Sequence, residues 1–268
     1  MPGDFTLDQF KAICLALQDA GYQTMTVAQY LVEVSKNPRV AVLRHDVDRF
    51  PGHALHMARM EQRLGICSTY YFRTNPAVFR PGTVSDISEM GHEIGYHYET
   101  LAQCKGNYPA AIELFEKELA RLRQICPIQT ISMHGSPLST YDNRDLWKRY
   151  DFRQYGISGE AYLSIDYHNL AYLTDAGRSW ADNLNNLRDR VAGETTPPGI
   201  QSSADLISAI QEKRFEQVCI SAHPERWAAN PQEWLVSAAL DLAGNSIKSA
   251  LRLLNLRGSP GAGRGRAQ

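Results

Sequence analysis

The chain has 268 residues, 43% of them apolar and 21% charged, with a formal net charge of −1. This is ordinary globular composition, long enough to bury a sizeable core, and the near-zero net charge gives no general attraction to nucleic acid or anionic membrane. Five cysteines without a CxxC pair argue against a thiolate zinc site or a disulfide framework, and no apolar run reaches the roughly 18 residues of a membrane span.

The first stretch carries Asp4 and Asp8 and no basic, apolar leader, so it does not read as a signal peptide, and the expected location is the cytoplasm. Residues 6–20 and 26–35 are predicted as helices around a turn at Gly21, with Thr26 as N-cap of the second. "RVAVLRHD" (39–46) reads as a strand, 52–65 as a helix stopped by Gly65, and "CSTYYFRT" (67–74) as a second strand. A short helix (83–91) leads into a strand at 92–99. Residues 108–126 form the clearest helix, with Ile112, Phe115, Leu119 and Leu122 in one apolar stripe. Further strands are expected at 128–135, 172–180 and 217–227, a helix at 205–213, and a last helical region at 231–254, broken near Gly244. Residues 191–203 read as a surface loop. The Gly-, Pro- and Arg-rich stretch 258–268 reads as a disordered tail. Strand and helix alternate, which is the pattern of a parallel sheet in an α/β fold.

The strands end unusually. "AVLRHDVD" stops in Asp46 and Asp48, and three later strands finish at His97, His134 and His223. In parallel α/β folds ligands bind beyond the carboxyl ends of the strands, so these side chains are expected around one rim. Two carboxylates two residues apart point the same way and repel unless a cation lies between them. Two imidazoles and a carboxylate are a donor set for zinc or a similar divalent ion with a position left for water. Taken singly, each could instead be a solvated aspartate or a hydrogen-bonded structural histidine; His45, His53, His56, His92 and His168 read that way.

With these residues in place the chain resembles the polysaccharide deacetylase family, carbohydrate esterase family 4. The resemblance rests on "RHDVD", "GHEIGYHYETL", "SMHGSP" and "ISAHPERW" in that order across residues 39–227. It implies a distorted (β/α) barrel of parallel strands with outer helices at 39–257, preceded by helices in 1–38 that pack on it. It also implies one divalent metal ion, zinc foremost, with Asp46 as catalytic base, His223 as acid, and Asp48 and His97 as ligands. The family's second histidine position is Leu101 here. His134 is the expected substitute, with Glu99 as fallback ligand or substrate contact. Asp175, Arg178 and Trp180, at another strand end, are expected to bind substrate, the arginine holding an acid group and the tryptophan stacking on a sugar.

The expected activity is hydrolysis of an N-acetyl or N-formyl amide on an amino sugar that is nucleotide-linked, lipid-linked or glycan-terminal. The motif combination is most like members associated with bacterial surface-polysaccharide and O-antigen assembly. An inactive sugar-binding barrel, or a hydrolase of a ureide or cyclic imide, are the alternatives. A GxSxG elbow, a Rossmann fingerprint and a Walker loop are all absent from the sequence.

Overall fold

The computed structural model describes residues 3–33, 37–136, 139–181, 189–191 and 199–257, with side chains up to residue 247. Most of the expected loop at 191–203 and the whole stretch 258–268 lie outside the described residues.

In chain order the elements are α1 (Leu7–Asp19), β1 (Gln23–Met25), α2 (Val27–Val32), β2 (Val40–Val47), α3 (Pro51–Arg63), β3 (Thr69–Phe72), α4 (Pro81–Glu89) and β4 (Glu93–Tyr98). There follow α5 (Thr100–Gln103), α6 (Tyr108–Arg123), β5 (Thr130–Met133), β6 (Gly159–Glu160), β7 (Ala171–Thr174), α7 (Ser203–Gln211), β8 (Gln217–Ala222) and α8 (Pro231–Arg257). Thr6, Thr26 and Ser202 close capping boxes at the starts of α1, α2 and α7, each satisfying N–H groups that the first helical turn leaves open. The stripe Ile112, Phe115, Leu119 and Leu122 is the buried face of α6. The last helix runs unbroken through Gly244 rather than stopping there.

All strand pairs are parallel, in the order β6-β5-β4-β3-β2-β8-β7, with β1 joining β2 beside its N-terminal half. Every residue of β2 is buried, as expected when both sheet faces are covered. One face of β2 and β8, carrying Ala41, Leu43, Val218 and Ile220, packs on α1 and α7 through Phe10, Ile13, Leu17, Leu206 and Ile210. The other face looks into the curl of the sheet. There Arg44 of β2 reaches Ser132 of β5 and Tyr162 beyond β6. The two ends of the strand order are bridged by Asp189, whose carboxylate accepts from Tyr162 on the β6 side and from Tyr172 and Thr174 of β7. The architecture is therefore a (β/α) barrel left open between β6 and β7.

Inside the curl a glycine is required. A Cβ on Gly95 would lie 2.3 Å from the Tyr71 ring and 3.1 Å from the Thr130 carbonyl oxygen. Its absence lets Tyr71 lie across the interior, hydrogen-bonded to Thr130 and under the Arg44 guanidinium.

Candidate active site

The period of two along β2 sends Arg44 and Asp46 inward while His45 turns outward to Glu61 of α3. Asp48 follows just past the strand end. The register pairs His97 of β4 with Ser132 of β5, and His134 comes two residues after that serine. These constraints bring three donor atoms together. Asp48 Oδ1 lies 3.4 Å from His97 Nε2 and 3.5 Å from His134 Nε2, and the two rings stand edge to face at 5.3 Å.

The far side of each ring is held by an acceptor. His97 Nδ1–H donates to the Ser132 carbonyl at 3.0 Å. His134 Nδ1–H donates to Glu99 Oε2 at 2.8 Å, while Arg73 donates to Glu99 Oε1 at 2.6 Å. Burial alone would raise the Glu99 pKa, but His134 and Arg73 outweigh it and bring it down to about 2, so Glu99 is an anion that can only accept. Both Nε2 atoms are thereby turned toward Asp48, the arrangement by which metal-bound imidazoles are oriented.

The donor set fits a divalent ion in chemistry, and Asp48 stands at ligand spacing from each histidine. Ligands at about 2.0–2.2 Å on a four-coordinate ion stand roughly 3.3–3.5 Å apart, which is the separation of Asp48 Oδ1 from each nitrogen. Asp48 Oδ1 is also buried and accepts no hydrogen bond. The match is pairwise through Asp48: among the described residues no group of three or more His, Cys, Asp or Glu side chains is placed so as to hold a metal ion as it stands. Burial would push the Asp48 carboxyl up, yet His134 and His97 hold it well below the usual carboxylate range. Burial likewise presses His97 toward the neutral form, but Asp46 and Asp48 raise it above the ordinary histidine value.

Asp46 is anchored at one oxygen only. Arg44 Nη2 donates to its Oδ2 at 2.6 Å, and Oδ1 is buried without a partner. Burial opposes ionisation, and Arg44, His97 and His223 override it, keeping Asp46 below its usual pKa. His223 is set by Asp175, which accepts from its Nδ1 at 2.6 Å and from its backbone N–H at 3.0 Å. Arg226 and Trp227 donate to the same carboxylate at 2.6 and 2.8 Å. Burial and Arg226 lower the His223 pKa, but Asp175 more than compensates and lifts it to about 9.

The four residues expected to bind substrate sit elsewhere in the chemistry. Asp175 is fully buried, and its carboxylate is occupied in orienting His223. Trp180 is only 1% exposed, packed against Phe5 and Trp227 with its indole N–H on Ser203, so no ring face is left for a sugar. Arg178 donates to Ser237 and Asp241 of α8 rather than facing the rim's carboxylates. Glu99 has both oxygens engaged by Arg73 and His134, so it steers a histidine instead of holding an ion itself. Leu101 is a core residue of α5, 1% exposed; the nitrogen near Asp48 comes from the neighbouring strand instead.

Three arginines complete the site: Arg44, Arg73 and Arg226. The signal for Arg44 was its spacing of two from Asp46 on a strand. Arg73 had none, because its link to Glu99 crosses from β3 to β4. Beside His134 and Glu99 opens a pocket of about 570 Å3, also lined by Ala102, Lys105, Ser136 and Tyr141, and Tyr141 is 41% exposed there.

A scan against protein-family models finds no match, and a search of curated proteins finds none. Solved structures do align. The chain is similar to a CE4 esterase from Streptococcus mutans, at 14% identity and TM-score 0.44, over 84% of this chain and 86% of that one. It is similar to a family 4 carbohydrate esterase from Bacillus anthracis, at 12% identity and TM-score 0.39, over 88% and 85%. It is also similar to a variant of the peptidoglycan deacetylase PdaC from Bacillus subtilis, at 11% identity and TM-score 0.40, over 83% and 99%. All three scores lie below 0.5, so site and chemistry rest on this chain's own residues.

Proposed function

We propose that this protein is a metal-dependent hydrolase that removes an acetyl or formyl group from the nitrogen of an amino sugar. The observation that carries the reading is Asp48 Oδ1, buried and without a hydrogen bond, between two histidine Nε2 atoms whose other nitrogens are held by acceptors. Asp48, His97 and His134 are the residues that would hold a divalent ion, zinc by donor type, and when bound it supplies Lewis-acid polarisation of the acyl carbonyl and a more acidic water.

The chain's own groups divide the proton work. Asp46 takes the proton of the attacking water at Oδ1 while Arg44 holds Oδ2 still. His223, protonated at neutral pH and fixed through Nδ1 by Asp175, gives its Nε2 proton to the departing amine. His223 lies within electrostatic reach of both Asp46 and Asp48, so acid and base serve one site. The pocket beside His134 lies in the range of roughly 300–1,000 Å3 typical of small-molecule sites, and Tyr141 offers an aromatic face for a sugar ring in place of Trp180. The motif order adds surface-polysaccharide or O-antigen precursors as the substrate class, in the cytoplasm.

A second reading, a sugar-binding barrel without hydrolysis, is favoured by Leu101 at the place of a ligand. Elemental analysis of the wild type beside His134→Ala separates the two. A near-stoichiometric divalent ion in the wild type that is largely lost in the variant, together with release of acetate or formate from N-acylated amino sugars, supports the hydrolase. Absence of metal in both after reconstitution overturns it.

A further inference from the structure

The last helix, α8, is amphipathic in the reverse sense. Its inward face is polar. Trp234 Nε1–H donates to the Asp4 carbonyl, Ser237 to the Glu225 carbonyl and Asn245 to the Gly177 carbonyl. Between them, Asp241 accepts from Arg49 at 2.7 Å and Arg178 at 3.2 Å, with Arg226 at 3.8 Å. These positions recur at three and four residues, one face of a helix. The outward face carries Leu235, Val236, Leu240, Leu242 and Ile247, which are 63, 54, 40, 69 and 54% exposed, with Ala239 and Ala243 between them. These five are half of the ten large apolar side chains exposed among the described residues, so the apolar surface of the molecule is concentrated on this one helix. A contiguous apolar face of this kind marks an interaction surface.

Charge selects the occupant. From Leu242 to Gln268 the sequence contains Lys248, Arg252, Arg257, Arg264 and Arg266 and no Asp or Glu. The remaining residues hold 23 of the 28 Lys and Arg against all 29 Asp and Glu, a net −6, so the whole-chain charge of −1 conceals a segment of +5. Within α8 itself Lys248, Arg252 and Arg257 stand against Glu233 and Asp241, the latter already paired with Arg49 and Arg178, and a helix with an apolar face and a basic C-terminal end is suited to lie in the interface of an anionic bilayer. A second copy of the same face would bring two such basic segments together, and nucleic acid gives no partner to leucines. No helix among the described residues is long and apolar enough to cross a membrane. We propose that α8 is a membrane-surface docking helix that seats its outer face among anionic lipid headgroups. Asp241 clamps that helix through Arg49, the residue after Asp48, so the docking helix is tied to the candidate site's rim. The proposal stands whether or not the barrel is a hydrolase.

The test is flotation of the full chain with vesicles of phosphatidylcholine alone or containing about 30% phosphatidylglycerol, beside Leu235→Glu/Leu242→Glu. Both substituted residues are exposed, so thermal unfolding of the variant should match the wild type. The expected result is wild-type binding to the anionic vesicles, lost at high salt, little binding to phosphatidylcholine, and binding of the variant weaker by roughly tenfold or more. Wild-type protein that stays unbound with both vesicles overturns the proposal, as does binding that the double variant retains. A stable dimer in light scattering that the double variant abolishes also overturns it, assigning the face to a second copy.

Discussion

Asp175→Asn removes the carboxylate that does most to keep His223 charged. In the folded protein Asp175 faces the ring at 2.6 Å, and the His223 pKa stands at about 9 against an ordinary 6.5. The difference, at 1.36 kcal/mol per unit, is of the order of 3 kcal/mol. Without it, burial and Arg226 press the pKa down against Asp48 alone, and the value falls back toward the ordinary 6.5. A general acid with a pKa of 9 is mostly protonated at pH 8, whereas one at 6.5 is about 3% protonated, so titration alone costs roughly 30-fold in kcat/KM at that pH. Near pH 5.5 both rings carry the proton and that part of the loss disappears. The assay is a pH profile of amine release from an N-acylated amino sugar, paired with an NMR titration of the His223 ring. A basic limb that stays near pH 9 in the variant, or a wild-type ring that titrates near 6.5, would refute the reasoning. The sign for stability follows from the raised pKa. The charged, bonded ring stabilises the fold fully below pH 6.5, and the contribution is lost as pH climbs through about 9.

Three further outcomes are expected. Glu99→Ala leaves His134 Nδ1 without its carboxylate, and zinc affinity by competition with a chelating dye should fall roughly 10- to 100-fold; an unchanged affinity would separate Glu99 from the donor set. Glu61→Ala strips a fully buried pair, since Glu61 accepts from His45 at 2.8 Å and Tyr70 at 2.7 Å. The cost is about 3–5 kcal/mol, read as a drop in Tm of the order of 10 °C, and a shift near zero would contradict it. Gly95→Ala drives a methyl group into the Tyr71 ring and should destabilise by about 1–3 kcal/mol in denaturant unfolding, with no loss expected if Tyr71 can leave the interior freely.

Much of the architecture is legible because burial has a period. Strands β2, β3, β4 and β8 read as apolar runs, and α6 as a stripe, since a parallel sheet and an amphipathic helix impose those patterns on any sequence. Strands β1 and β6 do not read that way. At three and two residues they are too short to show alternation, and they exist because the sheet offers them a partner.

By itself, the sequence determined that Asp46, Asp48, His97, His134 and His223 stand at strand ends, because a parallel sheet aligns those ends wherever the strands fall in order. Spacing along a chain says nothing about what a side chain meets across the barrel. Trp180 reads as a sugar platform until Phe5 and Trp227 close over it. Asp175 and Glu99 read as substrate contacts until the fold brings up His223 and His134, which take their oxygens. Those roles belong to tertiary structure alone. The energy of an ionised group depends on the charges and donors within a few ångströms of it, and here most of those partners come from other elements, 118 residues away along the chain for Arg44 and Tyr162.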